Sequence, residues 1–370
     1  MFTKFNLKDY NFKLLASILL IIGIGTVFIN SADSSYTTRQ IIGAIGGITV
    51  MIFVSLIDYG FICKFYTIYY ILNAVLLLMV LVAGENVNNA TRWIKVGGEN
   101  GVQFQPSELS KIIMIIFMAC FLERFKDEIN TAKTLIMYAG FAAIPMLLIF
   151  EEPDLSTTLC LFMILCVMLY VSGLSYKIIG IAILIIIPLA GSFLWYIQRP
   201  DQRLLEQYQV NRILSFANPT KYGENMSQTN NSVMAIGSGM LHGKGLNSST
   251  IATVKDANFI SEQQTDFIFS VIGEEVGFIG SVIIIAIILL IVLQCIRIAR
   301  DAKDVKGMLI VTGMTSLIAI QTFINIGVAT GILPNTGIPL PFLSYGLSSL
   351  MSISVGMGMI LNVSLQRKRF

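Results

Sequence analysis

Residues 307–366 read GMLIVTGMTSLIAIQTFINIGVATGILPNTGIPLPFLSYGLSSLMSISVGMGMILNVSLQ, a stretch without a single Asp, Glu, Lys or Arg. A helix needs about 20 predominantly apolar residues to cross a bilayer. This stretch is too long for one crossing. It is broken by Pro334-Asn335-Thr336-Gly337-Ile338-Pro339-Leu340-Pro341, where the prolines remove backbone donors and cannot continue a helix. The spacing predicts two membrane helices, near 307–331 and 341–366.

Working outward, further charge-free runs occupy 14–32, 40–57, 65–84, 134–150, 155–176, 178–198 and 276–296. Segment 107–122 is apolar apart from Glu108 and Lys111. The expected fold is therefore an all-α polytopic membrane protein of about ten transmembrane helices, with 1–370 as a single integral membrane domain. Composition agrees: 55% of residues are hydrophobic and 13% charged, where soluble domains carry about 25% charged residues. A soluble fold, a coiled coil and a disordered chain are excluded. A net charge of +3 is too weak a bias to argue for nucleic acid.

Basic residues orient the chain. With both termini cytoplasmic, the inside holds Lys4, Lys8, Lys13, Lys64, Arg124, Lys126, Lys133, Lys177, Arg297, Arg300, Lys303, Lys306, Arg367, Lys368 and Arg369, while the short outside segments hold Arg39, Arg92 and Lys95. The first apolar run is expected to remain as an uncleaved span, because Asn30-Ser31-Ala32-Asp33 is a poor cleavage site. Two outside segments are long, 85–105 and 198–265. The second, the extracytoplasmic loop between helices 7 and 8, is rich in Asn, Gln, Ser and Gly. Within it, Asn211–Phe216 and Ser232–Met240 mix apolar and polar residues and could lie along the membrane surface.

Ionisable residues at membrane depth point to function. Gln105-Pro106-Ser107-Glu108-Leu109-Ser110-Lys111 has proline and an acidic residue in the first turn of a helix. Glu108 and Lys111 are three apart, so they share a face. Either they form an intrahelical ion pair or Lys111 reaches an anionic ligand at the outer boundary. Thr265-Asp266-Phe267-Ile268-Phe269 sits where the long loop meets the eighth span, and Asp266 reads equally as a helix cap or a reactive carboxylate. On a continuous helix Asp266 and Glu274 would lie about 80° apart around the axis and about 12 Å apart along it, so they do not form one catalytic pair. Glu274 and Glu275 read as packing, hydrogen-bonding or cavity residues. The outside loops add Arg92, Lys95, Arg199, Arg203, Arg212, Lys221, Lys244 and Lys255.

Lys244 lies in Gly237-Ser238-Gly239-Met240-Leu241-His242-Gly243-Lys244-Gly245. Its glycines allow close backbone approach, but the spacing is not that of a nucleotide-binding P-loop. A solvated turn is the simpler reading. Glu151-Glu152-Pro153-Asp154-Leu155 reads as an ordinary helix start. Outside cations with one carboxylate would suit a lipid-linked phosphate or pyrophosphate. Cys63, Cys120, Cys160, Cys166 and Cys295 are scattered singly, and His242 is alone, so neither a disulfide framework nor a zinc centre is expected.

Seven segments then align, in order, with one family's motifs. They are Thr-Arg-Trp-Ile at 91–94, Gln-Pro-Ser-Glu-Leu-Ser-Lys at 105–111, Glu-Pro-Asp-Leu-Ser-Thr at 152–157 and Asn-Arg-Ile-Leu at 211–214. Ala-Ile-Gly-Ser-Gly at 235–239 with Gly-Lys-Gly at 243–245 follows, then Thr-Asp-Phe-Ile-Phe at 265–269 with Gly-Glu-Glu-Val-Gly at 273–277, then Thr-Gly-Ile-Pro-Leu-Pro-Phe-Leu-Ser-Tyr-Gly at 336–346. The set resembles the shape, elongation, division and sporulation (SEDS) family over nearly the whole chain, and its elongation branch most. Leu347, Ser156 and Met240 stand where that family usually has glycine.

The resemblance implies a ten-helix protein of the bacterial cytoplasmic (inner) membrane. It implies a peptidoglycan glycosyltransferase polymerising lipid II on the outer face. The family's essential aspartate falls on Asp266, and its Pro-Ser-Glu motif with the following lysine falls on Glu108 and Lys111. The implied partners are a class B penicillin-binding transpeptidase and elongation-complex membrane proteins, without nucleic acid. The expected mechanism has Asp266 as general base for an inverting displacement. Arg92, Lys111, Arg212 and Lys244 are candidate clamps on pyrophosphate, and Glu108 completes the substrate-binding set. No cofactor is demanded. A divalent cation could assist, although no metal site is legible. The competing readings are a lipid II flippase, with key charges near the midplane, a scaffold that only activates the transpeptidase, and a division-branch role. The short ends on either side of the membrane spans favour elongation over division.

Overall fold

The computed structural model describes residues 10–87, 90–96, 102–199, 202, 204–217, 227–247 and 262–366. Of the basic residues expected outside, Arg203, Lys221 and Lys255 lie outside the described residues, as does part of the 198–265 loop. Among the described residues the chain forms thirteen helices and one small sheet. The helices are α1 (Phe12–Ala32), α2 (Thr37–Leu56), α3 (Tyr59–Cys63), α4 (Tyr66–Ala83), α5 (Pro106–Arg124), α6 (Ala132–Glu151) and α7 (Leu155–Val171). There follow α8 (Tyr176–Ile197), α9 (Gln207–Ala217), α10 (Ser227–Ser238), α11 (Ile268–Arg300), α12 (Val305–Ala329) and α13 (Leu347–Leu365).

Eight of these, α1, α2, α4, α6, α8, α11, α12 and α13, are long and apolar enough to cross a membrane. The seventeen-residue α7 and α5, with ionisable residues at both ends, complete the ten expected crossings. The chain is a multi-pass membrane protein.

Helix α5 lies at the centre, buried from Pro106 to Leu122 on almost every side. Around it pack α4, α7, α12 and α13. Small residues make that packing close, as expected where lipid supplies no hydrophobic drive between helices. Gly47 of α2 faces Ser354 of α13, Gly356 of α13 faces Met314 of α12, and Gly358 meets the Met51 backbone. At the other extreme, α8 buries only Ile197. A helix that is apolar all round and not covered by the rest of the chain is suited to a membrane span.

Three boundaries differ from the sequence reading. First, the eighth crossing begins at Ile268, eight residues before the charge-free run, and is interrupted at Gly277 (φ 65°, ψ −164°). The charge count missed the first half because Glu274 and Glu275 are inside it, buried and partnered. Second, the last crossing begins at Leu347 and not at 341. Residues 330–346 instead fold back as an irregular hairpin in which Ile338, Leu340, Phe342 and Leu343 are buried. Irregular backbone at this depth is tolerated where protein surrounds it. Third, segment 85–105 carries strands β1 (Glu85–Val87), β2 (Ala90–Val96) and β3 (Val102–Phe104) in an antiparallel sheet of order β1-β2-β3. Ile94 pairs with Phe104 and Lys95 with Gln103. The sheet is anchored on the start of α13, where the Ser348 hydroxyl accepts from the Gln105 amide (3.1 Å) and donates to the Gln103 carbonyl (3.3 Å).

Ser232–Met240 does not simply lie along the membrane surface: α10 packs on α11 and α12, with Ser232 donating to the Ala329 carbonyl at 2.7 Å. After it, Met240 adopts φ 50°, a left-handed conformation costing a side-chain-bearing residue about 1–2 kcal/mol. Glycine would adopt this conformation without that cost. Met240→Gly should stabilise the protein by about 1 kcal/mol, measured as a higher unfolding midpoint in detergent.

Candidate active site

Residues 262–267 form a turned segment at the entrance to α11, held from three directions. The Asn325 side chain of α12 donates to the carbonyls of Asp266 and Ile338, both at 2.8 Å. The Ser344 hydroxyl donates to the Thr265 carbonyl at 2.6 Å, and the Tyr345 amide to the Gln264 carbonyl at 2.8 Å. The Gln263 side chain donates to the carbonyl of Ala32, at the end of α1, at 3.0 Å. Phe267 is sealed into the core at 1% exposure. Asp266 therefore stands on a rigid pedestal built from α1, α12 and the 330–346 hairpin. Its side chain keeps part of its surface open.

Gly337 lies directly opposite. A Cβ there would sit 3.3 Å from Asp266 Oδ2 and 3.8 Å from the Arg212 guanidinium. Its φ of 73° is one that L side chains rarely adopt. Glycine thus serves both the turn and the approach of carboxylate and guanidinium. Burial pushes the Asp266 carboxyl up to about 6; Arg212 opposes this, Glu262 adds to it, Arg92 opposes it and Asp154 adds to it. Dehydration of the charged form outweighs the two cations.

Arg212 is carried by α9, whose apolar side (Val210, Ile213, Leu214) packs with Ile197, Leu205, Phe150 and Leu155 over the outer ends of α6, α7 and α8. The helix predicted to lie on the membrane surface is thus docked on protein, and this brings Arg212 to Asp266.

The turn at 152–154 is the element that sequence reasoning passed over. Asp154 caps α7, accepting from the Thr157 amide (3.1 Å) and hydroxyl (2.9 Å), as expected for a helix start. It also gathers outside residues. Arg92 of β2 lies 3.9 Å from the Asp154 carboxylate and donates to the carbonyls of Glu152 (3.3 Å) and Pro153. Gln209 of α9 donates to the Pro153 carbonyl at 3.1 Å. Glu152 is fully buried; burial, then Asp154, push its carboxyl up to about 8 against the pull of Arg92. Three acidic positions in four residues were the available signal.

Lys111 and Lys244 are placed differently. Lys111 Nζ is 2.6 Å from Glu108 Oε1 with both side chains buried, the intrahelical pair that the spacing allowed. Lys244 Nζ is 2.7 Å from Glu274 Oε1. The structure therefore brings together Asp266, Arg212, Arg92 and Asp154, and gives Lys111 and Lys244 carboxylate partners of their own. Lys95 is exposed on β2, and the Arg199 guanidinium lies 4.0 Å over the Trp195 ring.

A divalent cation needs several oxygen ligands at one point. Among the described residues no three His, Cys, Asp or Glu side chains are placed to hold one, and the acidic groups near Asp266 share their space with two guanidiniums.

The FtsW/RodA/SpoVE family model, described as a cell cycle protein, matches residues 10–369. The stage V sporulation protein E of Bacillus subtilis is 35% identical over 98% of this chain and 99% of its own length. A probable peptidoglycan glycosyltransferase FtsW of Geobacter metallireducens is 33% identical over 99% and 98%. Among solved structures, a chain from a peptidoglycan synthase complex that coordinates polymerization and crosslinking superposes with a TM-score of 0.80, at 24% identity over 96% of this chain and 97% of that one. With its membrane-length helices and a family match over nearly its whole length, the chain belongs to the FtsW/RodA/SpoVE family and is a membrane-embedded glycosyltransferase.

Proposed function

We propose that the protein polymerises lipid II into glycan strands at the outer face of the cytoplasmic membrane, with both termini in the cytoplasm. The observation that carries this reading is Asp266: a carboxylate raised by burial to about 6, fixed by its backbone and faced by Arg212. Asp266 accepts the proton of the acceptor GlcNAc 4-hydroxyl as that oxygen attacks the anomeric carbon of the donor MurNAc. The bond to undecaprenyl pyrophosphate breaks and the configuration inverts. A base with a pKa just below the working pH is ionised yet basic enough to help in the transition state. Arg212, with Arg92 behind it, stabilises charge gathering on the departing pyrophosphate. Glu108, Lys111 and Lys244 support this site through the architecture beneath and beside it.

The finer role we assign is cell elongation, on the likeness of the whole motif set to that branch, with a class B penicillin-binding transpeptidase crosslinking the strands and elongation-complex membrane proteins around it. Depletion separates the roles: elongation predicts rounded cells, division predicts filaments.

The test is polymerisation of purified lipid II by the full chain, with and without a class B transpeptidase, in moenomycin. Long strands are expected. No strands even with the cognate partner and a divalent cation present would move a flippase or scaffold role to the front. The pH profile adds a signed prediction. The base works ionised, so kcat/KM should fall as pH drops through about 6. Arg212→Gln removes a cation that holds the carboxyl down, so its acidic limb should move to higher pH. A limb that stayed in place would separate Arg212 from Asp266.

A further inference from the structure

The break in α11 is filled by another part of the chain. In an unbroken helix the amides of Phe278 and Ile279 would donate to the carbonyls of Glu274 and Glu275. At Gly277 they do not. Phe278 donates to the Met240 carbonyl (2.8 Å) and Ile279 to the Leu241 carbonyl (3.2 Å). The vacated carbonyls are taken in turn, Glu274 by the Lys244 amide (2.9 Å) and Glu275 by the Gly245 amide (3.0 Å). Residues 240–245 are thus hydrogen-bonded into the helix as its missing turn.

The crossing leaves no room for side chains. A Cβ on Gly239 would run into the Gly273 carbonyl, one on Gly243 into the Glu275 carbonyl, and one on Gly277 would sit 2.7 Å from the Leu241 carbonyl. The two glycine-rich segments therefore fit one another, backbone to backbone. Side chains fasten the splice. Lys244 Nζ and the Ser238 hydroxyl reach Glu274 Oε1 at 2.7 and 3.3 Å. The Asn247 amide (3.3 Å) and the Ser31 hydroxyl of α1 reach Glu275 Oε1. Both glutamates are buried, where a buried ion pair is sensitive to loss of either member.

We propose that segment 239–247, locked by Lys244 and Glu274, is a positioning device for the catalytic aspartate. The half-helix 268–276 lies between Gly277 and the turn bearing Asp266, and Ile268 to Glu275 are buried throughout. Asn325 holds the front of this rod through the Asp266 carbonyl, and the spliced loop holds its back. Slack at the splice is transmitted to Asp266, because the intervening half-helix is continuous and buried, with even Gly273 packed closely against Ile236. Lys244 is then a positioning residue that does not touch substrate. This rests on Asp266 being the base.

The experiment uses the full chain with its transpeptidase in lipid nanodiscs. Lys244→Met and Glu274→Gln should raise amide hydrogen exchange across 268–276 by about tenfold or more. They should lower kcat by about tenfold with KM for lipid II within about twofold. Lys244→Arg should keep activity, and the exchanged pair Lys244→Glu with Glu274→Lys should recover it to within about threefold of wild type. Unchanged exchange in 268–276 would overturn the proposal. So would a raised KM with kcat intact, which would make Lys244 a substrate ligand, and so would failure of the exchanged pair in protein that unfolds at the wild-type temperature. The exchange readout does not depend on the chemistry. If Asp266→Asn stayed active while exchange and kcat behaved as expected, the base assignment would fall and the splice would stand.

Discussion

Asp266→Asn is expected to give a protein that inserts and folds normally and binds its transpeptidase, yet makes no glycan strands above background. The substitution keeps size and shape. The pedestal is fastened through backbone carbonyls at 265 and 266 and the side chains of Asn325 and Ser344, none of which changes. Only the proton acceptor is lost. General-base catalysis contributes about 10²–10⁴ in rate, and strand synthesis compounds that loss over many additions. The measurement is strand length and yield from lipid II, at matched protein and with the unfolding temperature confirmed. Full polymerisation would end the general-base assignment. A loss accompanied by a lower unfolding temperature would point to a structural role for the carboxylate, though not as the helix cap that the sequence left open, because α11 is entered through Phe267 without a side-chain cap.

The second large effect concerns the centre of the molecule. Lys111→Met should destabilise the protein by about 3–5 kcal/mol, because it strands Glu108 in a dry interior. The two groups are 2.6 Å apart on the most buried helix of the bundle, at side-chain exposures of 2% and 4%. Among the described residues the remaining oxygen of Glu108 and the hydroxyls of Ser107 and Ser110 have no hydrogen-bond partner, so no group there takes over from the ammonium. Lys111→Met with Glu108→Gln removes both charges and should recover most of the stability. Unfolding midpoints for the singles and the double form a cycle that isolates the pair. If the double variant folds and polymerises, the pair is architecture. If it folds without polymerising, the charge of Lys111 serves the substrate. A single variant as stable as wild type would contradict the buried pair altogether.

Much of the fold was legible in the chain because a membrane imposes simple bookkeeping. Each crossing must be long, apolar and hydrogen-bonded within itself, so ten helices could be located from charge-free runs and the Pro334–Pro341 break. The motifs likewise singled out Asp266, Arg92 and Arg212 before any geometry was known. The sequence failed where a rule about local composition met a tertiary exception. Glu274 and Glu275 made the charge-free run start only at 276, yet they lie inside a buried half-helix because Lys244, Ser31 and the 240–245 backbone satisfy them. The 330–346 hairpin looked like a short turn, and is the scaffold holding the 262–267 segment.

The site shows the same division. One-dimensional reading can name a carboxylate and several cations, because their types and approximate depth are written in the chain. It cannot assign partners across 30 to 60 residues, because pairing is decided by which helices lie side by side. Arg212 reaches Asp266 because the apolar side of α9 docks over α6, α7 and α8, whereas Lys244 goes to Glu274 because glycines bring two backbones together. Glu152 and Asp154 joined the site only through Arg92 and Gln209, which arrive from distant elements. The sequence by itself determined membrane class and crossing number, since these follow from local solvation, while Asp266 was singled out by the motif in which it stands. Only the tertiary structure decided which cation serves which carboxylate, since that energy depends on distance and burial between segments that the sequence keeps far apart.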